Sequence, residues 1–260
     1  MKNTQLFILL FAIMFLSPIG LNISILHSQT LHHGYKIGFS VPQLSDNGNN
    51  EISSGYKSRF APAFGIFLND YFTPNFALQL ELLYVGQGGK RNEMQPIPEE
   101  ELAGLPVPPG VNLYADFENE AILNYLEIPL LAMYKIHLSD IFNIYGEFGP
   151  YFGILVNAKS RTSGTSSIYL DKEGNIPLTD IEGNPLPEID FNNERTISDD
   201  IQTLNFGLTG GVGVGFKISS SELILDIRGS GGFTHIQKDI KDGQSTTGAL
   251  VVTAGYSLEL

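Results

Sequence analysis

The stretch Phe76-Ala77-Leu78-Gln79-Leu80-Glu81-Leu82-Leu83-Tyr84 decides the fold. Phe76, Leu78, Leu80, Leu82 and Tyr84 form one alternating set, and Ala77, Gln79 and Glu81 lie between them. A period of two places the sets on opposite faces of a β-strand. An unbroken apolar row backed by an amide and a carboxylate is a strand between two media, one greasy and one polar.

Working outward, the same pattern recurs on both sides. Tyr35, Ile37, Phe39 and Val41 alternate with Lys36, Gly38 and Ser40, and Pro62, Phe64, Ile66 and Leu68 alternate with Ala63, Gly65, Phe67 and Asn69. Downstream, Leu126 to Ile136 is interleaved with Tyr125, Glu127, Pro129, Leu131, Met133 and Lys135. Phe142, Ile144, Phe148, Phe152 and Ile154 then alternate with Asn143, Tyr145, Glu147, Tyr151 and Gly153. Three more segments follow: Leu204 to Phe216 with glycines between the apolar residues, Leu223 to Phe233 with Asp226 and Arg228 between them, and Leu250 to Leu258. Eight segments of roughly 9 to 15 residues match tilted strands that cross a bilayer. The expected fold is all-β: an eight-stranded antiparallel up-and-down transmembrane barrel with short periplasmic turns and long external loops.

Loop lengths agree. Brief turns follow the second, fourth and sixth segments, around Asp70 to Pro74, Ser139-Asp140 and Ser219 to Ser221, and long stretches rich in Gly, Pro, Asn and Asp follow the others. Aromatic residues on the apolar face also sort by position. Tyr35, Phe76, Tyr134, Phe142, Phe216 and Tyr256 fall at the short-turn ends, and Tyr84, Phe152, Phe206 and Phe233 near the long-loop ends, as two interfacial girdles would place them. A soluble barrel of the lipocalin type also alternates, but it turns its apolar face inward and would leave glycine and charge facing water. The charges on the small-residue face favour a narrow polar lumen instead.

Composition narrows the function. Twenty-eight acidic against 15 basic residues, a net charge of -13, leave no basic patch for nucleic acid. The absence of cysteine removes disulfide staples, thiolate catalysis and cysteine metal sites. Residues 1–28 read as a signal peptide, opening with Lys2, running through apolar Leu6 to Leu16 and ending near Ser28; the alternative is a retained anchor helix. Residues 29–260 form the barrel domain. Much of the acidity sits in two stretches, Gly89 to Ala121 and Ala158 to Gln202, each with a net charge of -5, so it belongs to the expected loops rather than to the strands.

Few residues suggest chemistry. No metal-ligand spacing, hydrolase elbow or phosphate loop is present, so no cofactor is expected, and Gly211 to Gly215 lies mid-strand with no helix after it. Glu173-Gly174-Asn175 recurs as Glu182-Gly183-Asn184, which invites a calcium-loop reading. A small hairpin joining Ile168 to Leu170 with Ile176 to Leu178 explains the repeat without metal. His235 is the one candidate rim base. The proline-rich runs Gln95 to Pro98 and Leu105 to Gly110 read as stiff, extended segments. Lys36, Glu81, Glu127, Glu147, Asp226 and Arg228, with Lys135 and Lys217, are expected to face the lumen, as the lining of a selective pore or as a plug of internal ion pairs. Eight strands enclose only enough room for side chains, and buried acids need partners, so the plug is preferred, with Arg228 locked to Glu127, Glu147 or Glu81.

Four stretches carry a family resemblance: Gly34-Tyr35-Lys36-Ile37-Gly38; Gln79 to Tyr84 with Gly86-Gln87-Gly88; Asn124-Tyr125-Leu126-Glu127-Ile128-Pro129-Leu130-Leu131; and Gly149-Pro150-Tyr151-Phe152-Gly153. Together they resemble the PorT-like outer-membrane β-barrel family of the Bacteroidetes group across nearly the whole mature chain. Leu260 departs from the terminal aromatic common among outer-membrane barrels. The resemblance implies a small outer-membrane barrel without catalytic residues. The family's namesake takes part in type IX protein secretion, and membership alone does not assign that role. The expected work is therefore structural or interactive and non-enzymatic, in contact with outer-membrane lipid, the barrel-assembly machinery and envelope or secretion proteins. The alternatives are a secretion-system subunit, a rim enzyme and a narrow ion pore.

Overall fold

The structure, a computed structural model, describes residues 30–46, 50–51, 53–97, 112–239 and 243–260. The expected signal peptide and the run from Leu105 to Gly110 lie outside these residues. Eleven strands follow in order: β1 (Thr30–Ser45), β2 (Ala61–Tyr71), β3 (Phe76–Pro96), β4 (Tyr114–His137), β5 (Phe142–Ser163), β6 (Thr165–Ser166), β7 (Ile189–Asp190), β8 (Asn193–Thr196), β9 (Leu204–Ile218), β10 (Ser221–Gly232) and β11 (Thr246–Glu259).

Eight of them close a ring. Neighbours pair antiparallel from β1 through β5, then β5 with β9, β9 with β10, β10 with β11, and β11 back to β1. Closure leaves no edge strand around the ring, as strands in hydrocarbon require. The outward face is apolar. Ile37 is 68% exposed, Val212 61% and Phe148 60%. So wide an uncovered apolar surface is stable only against lipid.

Cross-strand ring pairs build the two aromatic girdles. Tyr35 faces Tyr256 at 6.0 Å and Phe142 faces Phe216 at 4.9 Å near the short turns. At the other end Phe64 stacks on Tyr84, and Phe152 meets Phe206, both at 5.0 Å. Hydroxyl-capped turns finish the short end: Thr73 Oγ1 accepts from the Asn75 and Phe76 amides, and Ser139 Oγ from those of Ile141 and Phe142.

The long-loop end departs from the sequence expectation. Both ends of the stretch Gly89 to Ala121 are strand, because β3 runs to Pro96, β4 begins at Tyr114, and their pairing extends from Phe76↔Tyr134 to Pro96↔Tyr114. Beyond Tyr84 the outward row loses its apolar character, and charge pairs replace lipid contact as the support of the ladder. Lys90 reaches Glu118 at 2.6 Å. Glu194 of β8 accepts Arg161 Nε and Nη2 at 2.9 and 2.8 Å and Lys159 at 2.6 Å.

These extensions enclose a core of their own. Ile97, Leu113, Ala115, Phe117, Ile168 and Phe191 are buried together, with the Phe117 and Phe191 rings stacked at 4.6 Å. The hairpin expected between Ile168 and Leu178 forms, the Leu170 amide bonding to the Ile176 carbonyl and the Leu178 amide to that of Ile168.

Replacing Phe191 with Ala removes half of that stack and should cost the outer core about 3–5 kcal/mol. Limited proteolysis should then cut between residues 164 and 200 while the membrane ring keeps its folded migration on an unheated gel. Equal loss of both would contradict an independent outer core.

Candidate functional site: a charge-filled lumen

Inward positions of β1, β3, β5 and β10 bring five charged side chains to one level. Lys36 Nζ lies 2.7 Å from Glu81 Oε1 and 2.9 Å from Asp226 Oδ2. The Arg228 guanidinium grips Glu81 with two bonds, of 2.7 and 3.0 Å, and reaches Glu147 Oε1 at 2.7 Å and Asp226 Oδ1 at 3.6 Å. The fork of arginine suits paired carboxylates, which a lysine ammonium could not span in the same plane. All five residues are buried.

Neutral groups complete the cluster. Gln79 donates to Glu81 and, at 3.1 Å, to Glu147, and Thr253 Oγ1 donates to Asp226 at 2.9 Å. Lys36 also sits over the Phe67 ring at 5.2 Å. Such a cluster needs room, and β9 supplies it. A side chain at Gly211 would strike the β10 backbone at Arg228, and one at Gly213 would strike the Tyr145 ring. In the glycine run that superficially resembles a phosphate loop, Gly211 thus permits close approach of the β10 backbone and Gly213 leaves space for the Tyr145 ring.

Arg228 meets two of the three acids offered as its partners, Glu81 and Glu147, and one expectation is corrected, the placement of Lys217. Glu127 does not touch Arg228; its bond comes from Gln87 Nε2 at 3.0 Å. It faces the lumen nearer the long-loop end, next to Tyr125, and Arg228 is already occupied by Glu81 and Glu147. Lys217 is exposed rather than enclosed, because the β9–β10 turn carries it out to the rim. Lys135 does point inward, where it pairs with Glu222 at 2.8 Å over the Tyr71 ring. Glu222 went unnoticed in the sequence although it lies in phase with Asp226 and Arg228. Gln79 and Tyr145 were placed on the polar face without a role, since alternation assigns a face and not a partner, and Gln87 and Thr253 were not singled out as lumen residues.

Both ends of the lumen differ in kind. At the short-turn end a cavity of about 590 Å³ opens to solvent, with Lys135, Glu222, Asn143 and Tyr71 in its lining and His32, Lys217 and Glu259 also on it. At the other end Leu44, Leu123, Tyr125, Ala158, Ile201 and Ile236 form an apolar stopper. Ile201 and Ile236 come from the connections β8–β9 and β10–β11, held together by the Gln202 amide on the Ile236 carbonyl.

Other candidates are accounted for locally. His235 Nδ1 lies 3.2 Å from the Gln244 carbonyl. Asp171 accepts the Asn175 and Ile176 amides, and Asp180 those of Glu182 and Asn184. The Asn184 amide foremost holds the Asp180 carboxyl below the usual carboxylate range. Lys159 and then Arg161 do the same for Glu194. Among the described residues no group of three or more His, Asp or Glu is arranged to hold a metal ion.

A closed, lipid-faced ring of eight antiparallel strands with a polar interior agrees with comparison against known families, where the model for an outer membrane protein beta-barrel domain matches residues 27–238. The chain belongs to that family. No curated protein matches it. Among solved structures, Neisserial surface protein A is 11% identical, covering 90% of this chain and 100% of its own at a TM-score of 0.41. OprG of Pseudomonas aeruginosa is 10% identical over 89% and 95% of the two chains, with a TM-score of 0.40. The Escherichia coli outer membrane protease OmpT is 9% identical over 94% and 99%, with a TM-score of 0.45. Membership of the outer membrane beta-barrel domain family makes the chain an outer-membrane protein.

Replacing Arg228 with Met leaves Glu81, Glu147 and Asp226 facing one another with Lys36 alone. Urea unfolding in detergent or lipid should show a loss of about 3–5 kcal/mol. The double change of Arg228 and Glu81 to Met should lose less than Arg228→Met alone. A double variant as damaged as the sum of its parts would show that the pair is not coupled.

Proposed function

We propose that this barrel is a PorT-like, non-enzymatic envelope protein that works as a closed membrane anchor for an external β platform. The observation that carries the reading is the double closure of the lumen together with the run-on of β3, β4 and β5 past the outer girdle into a separately packed core. A pore would not need its axis filled by a five-member charge cluster and then by an apolar stopper. An enzyme of the rim would need a base with partners, and His235 has a backbone carbonyl.

In this reading the signal peptide is removed near Ser28, the short turns and both termini are periplasmic, and the acidic extensions are external. The short-turn cavity then opens to the periplasm. The platform, net acidic and rigidified by the Phe117–Phe191 stack, is the surface offered to envelope or secretion proteins. Its place in a type IX secretion machine is the more specific form of the same reading, supported by the PorT-like stretches around Asn124 to Leu131 and Gly149 to Gly153.

Two measurements separate these outcomes. In planar bilayers the purified barrel should give no stepwise conductance; steady ion current that disappears on replacing Arg228 or Glu147 would overturn the closed-anchor reading in favour of a pore. Deletion of the gene, followed by comparison of secreted and periplasmic proteins, tests the secretion role. Cargo retained in the periplasm supports it, and unchanged export refutes it while leaving the anchor reading in place.

A further inference from the structure

A row of charged side chains crosses the outer extension on its outward face, just beyond the girdle. Glu194 of β8 stands opposite Arg161 of β5, Arg161 opposite Glu120 of β4, and Glu120 opposite Lys90 of β3. The sign alternates at each of these steps. At the next it does not. Lys57 is bridged antiparallel to Lys90, each backbone amide donating to the other's carbonyl, at 2.8 and 2.9 Å. Residues directly opposite in such a bridge carry their side chains on one face, and like charges there oppose the pairing. The adjacent Tyr56 turns the other way, onto Gly89 and the apolar stopper, which leaves Lys57 on the outside.

The acids nearby are already engaged. Glu118 holds Lys90 at 2.6 Å, Glu120 holds Arg59 at 2.8 Å and Arg161 at 3.5 Å, and Glu194 holds Lys159 and Arg161. Among the described residues Lys57 has no carboxylate within ion-pair distance. Lys57, Arg59, Lys90, Lys159 and Arg161 therefore share Glu118, Glu120 and Glu194, a local positive surplus on a chain whose net charge is -13.

The depth of that surplus points to its counter-charge. Phe60, three residues after Lys57, is strongly exposed and tilts against Phe39 at 5.6 Å, nearer the long-loop end than the stack of Phe64 on Tyr84. Exposed rings of this kind mark the boundary between hydrocarbon and headgroups. Lys57 and Lys90 stand just past it, the first exposed and the second half-exposed. A phosphate set between their ammonium groups turns one repulsion into two attractions. Arg59, which reaches the same outward face at Glu120, adds a third cation.

We propose that Lys57, Lys90 and Arg59 hold the phosphate of an anionic lipid headgroup in the leaflet on the long-loop side. In the orientation proposed above that leaflet is the outer one. Native mass spectrometry of the full barrel, released from micelles holding equal amounts of dioleoylphosphatidic acid and dioleoylphosphatidylcholine, tests this. The wild type should retain one phosphatidic acid in preference to phosphatidylcholine. Lys57→Gln should weaken that retention about fivefold, the effect of one cation near a lipid phosphate, and Lys172→Gln, at an exposed turn, should leave it unchanged. Equal retention of the two lipids, or a preference untouched by Lys57→Gln, overturns the proposal. So does displacement of the lipid by an equal concentration of inorganic phosphate, which would make the site one for a free anion.

Urea unfolding in vesicles separates a lipid site from mere strain in the bridge. In phosphatidylcholine alone, Lys57→Gln removes only repulsion and should raise the midpoint. With phosphatidic acid added, the same change should lower it. A shift of one sign in both vesicles contradicts the site. Neither readout depends on a closed lumen, so failure of the lipid site and failure of the anchor reading are separate results.

Discussion

The two-bond grip of Arg228 on Glu81 is the interaction on which the interior depends. It joins β10 to β3, strands that are not neighbours in the ring, and Lys36 and Glu147 extend the tie to β1 and β5. An eight-stranded barrel has a fixed and narrow interior, so whatever crosses it must be filled by side chains. Filling it with charge demands near-complete pairing, since an unmatched ion in that enclosure is far more costly than the pair is stabilising. The small residues of β9 follow from this. Gly213 is where the Tyr145 ring comes to rest, and Gly211 is where the β10 backbone at Arg228 approaches closely.

Outside the girdles the same chain solves a different problem. The ladders of β3, β4 and β5 continue where lipid no longer supports them, and crossed ion pairs and an aromatic stack take over. Those exposed pairs contribute little each, so the Phe117–Phe191 core carries most of the order there. The barrel thus combines a stiff, closed transmembrane ring with an outer extension that stands or falls on a handful of apolar residues.

The ring was legible in the sequence because period-two alternation reports burial directly. Each expected segment became a strand, and the girdle residues landed where the loop rhythm put them. The outer extension was hidden for a physical reason: from Lys90 onward neither face of β3 is continuously apolar, so charge and proline signalled loop. Inward charges such as Glu81 and Arg228 were assigned to the right face, yet pairing depends on height along the barrel axis and on strand tilt. That is why the partner of Arg228 was left open among Glu127, Glu147 and Glu81, and why the position of Lys217 beside the turn was misread. Glu222 escaped notice because it stands at the edge of a segment.

The claim that the lumen is shut at its middle is open to direct measurement, because the chain contains no cysteine. Single cysteines can be placed at Lys217, on the rim of the short-turn cavity, and at Thr253, beside Asp226 in the cluster. A water-soluble thiol reagent applied to the folded barrel in lipid should label Lys217→Cys quickly and leave Thr253→Cys unreacted until the protein is unfolded. Labelling of Thr253→Cys in the folded state at a rate close to that of the rim position would mean that water and solutes reach the middle of the barrel, and would contradict a closed interior.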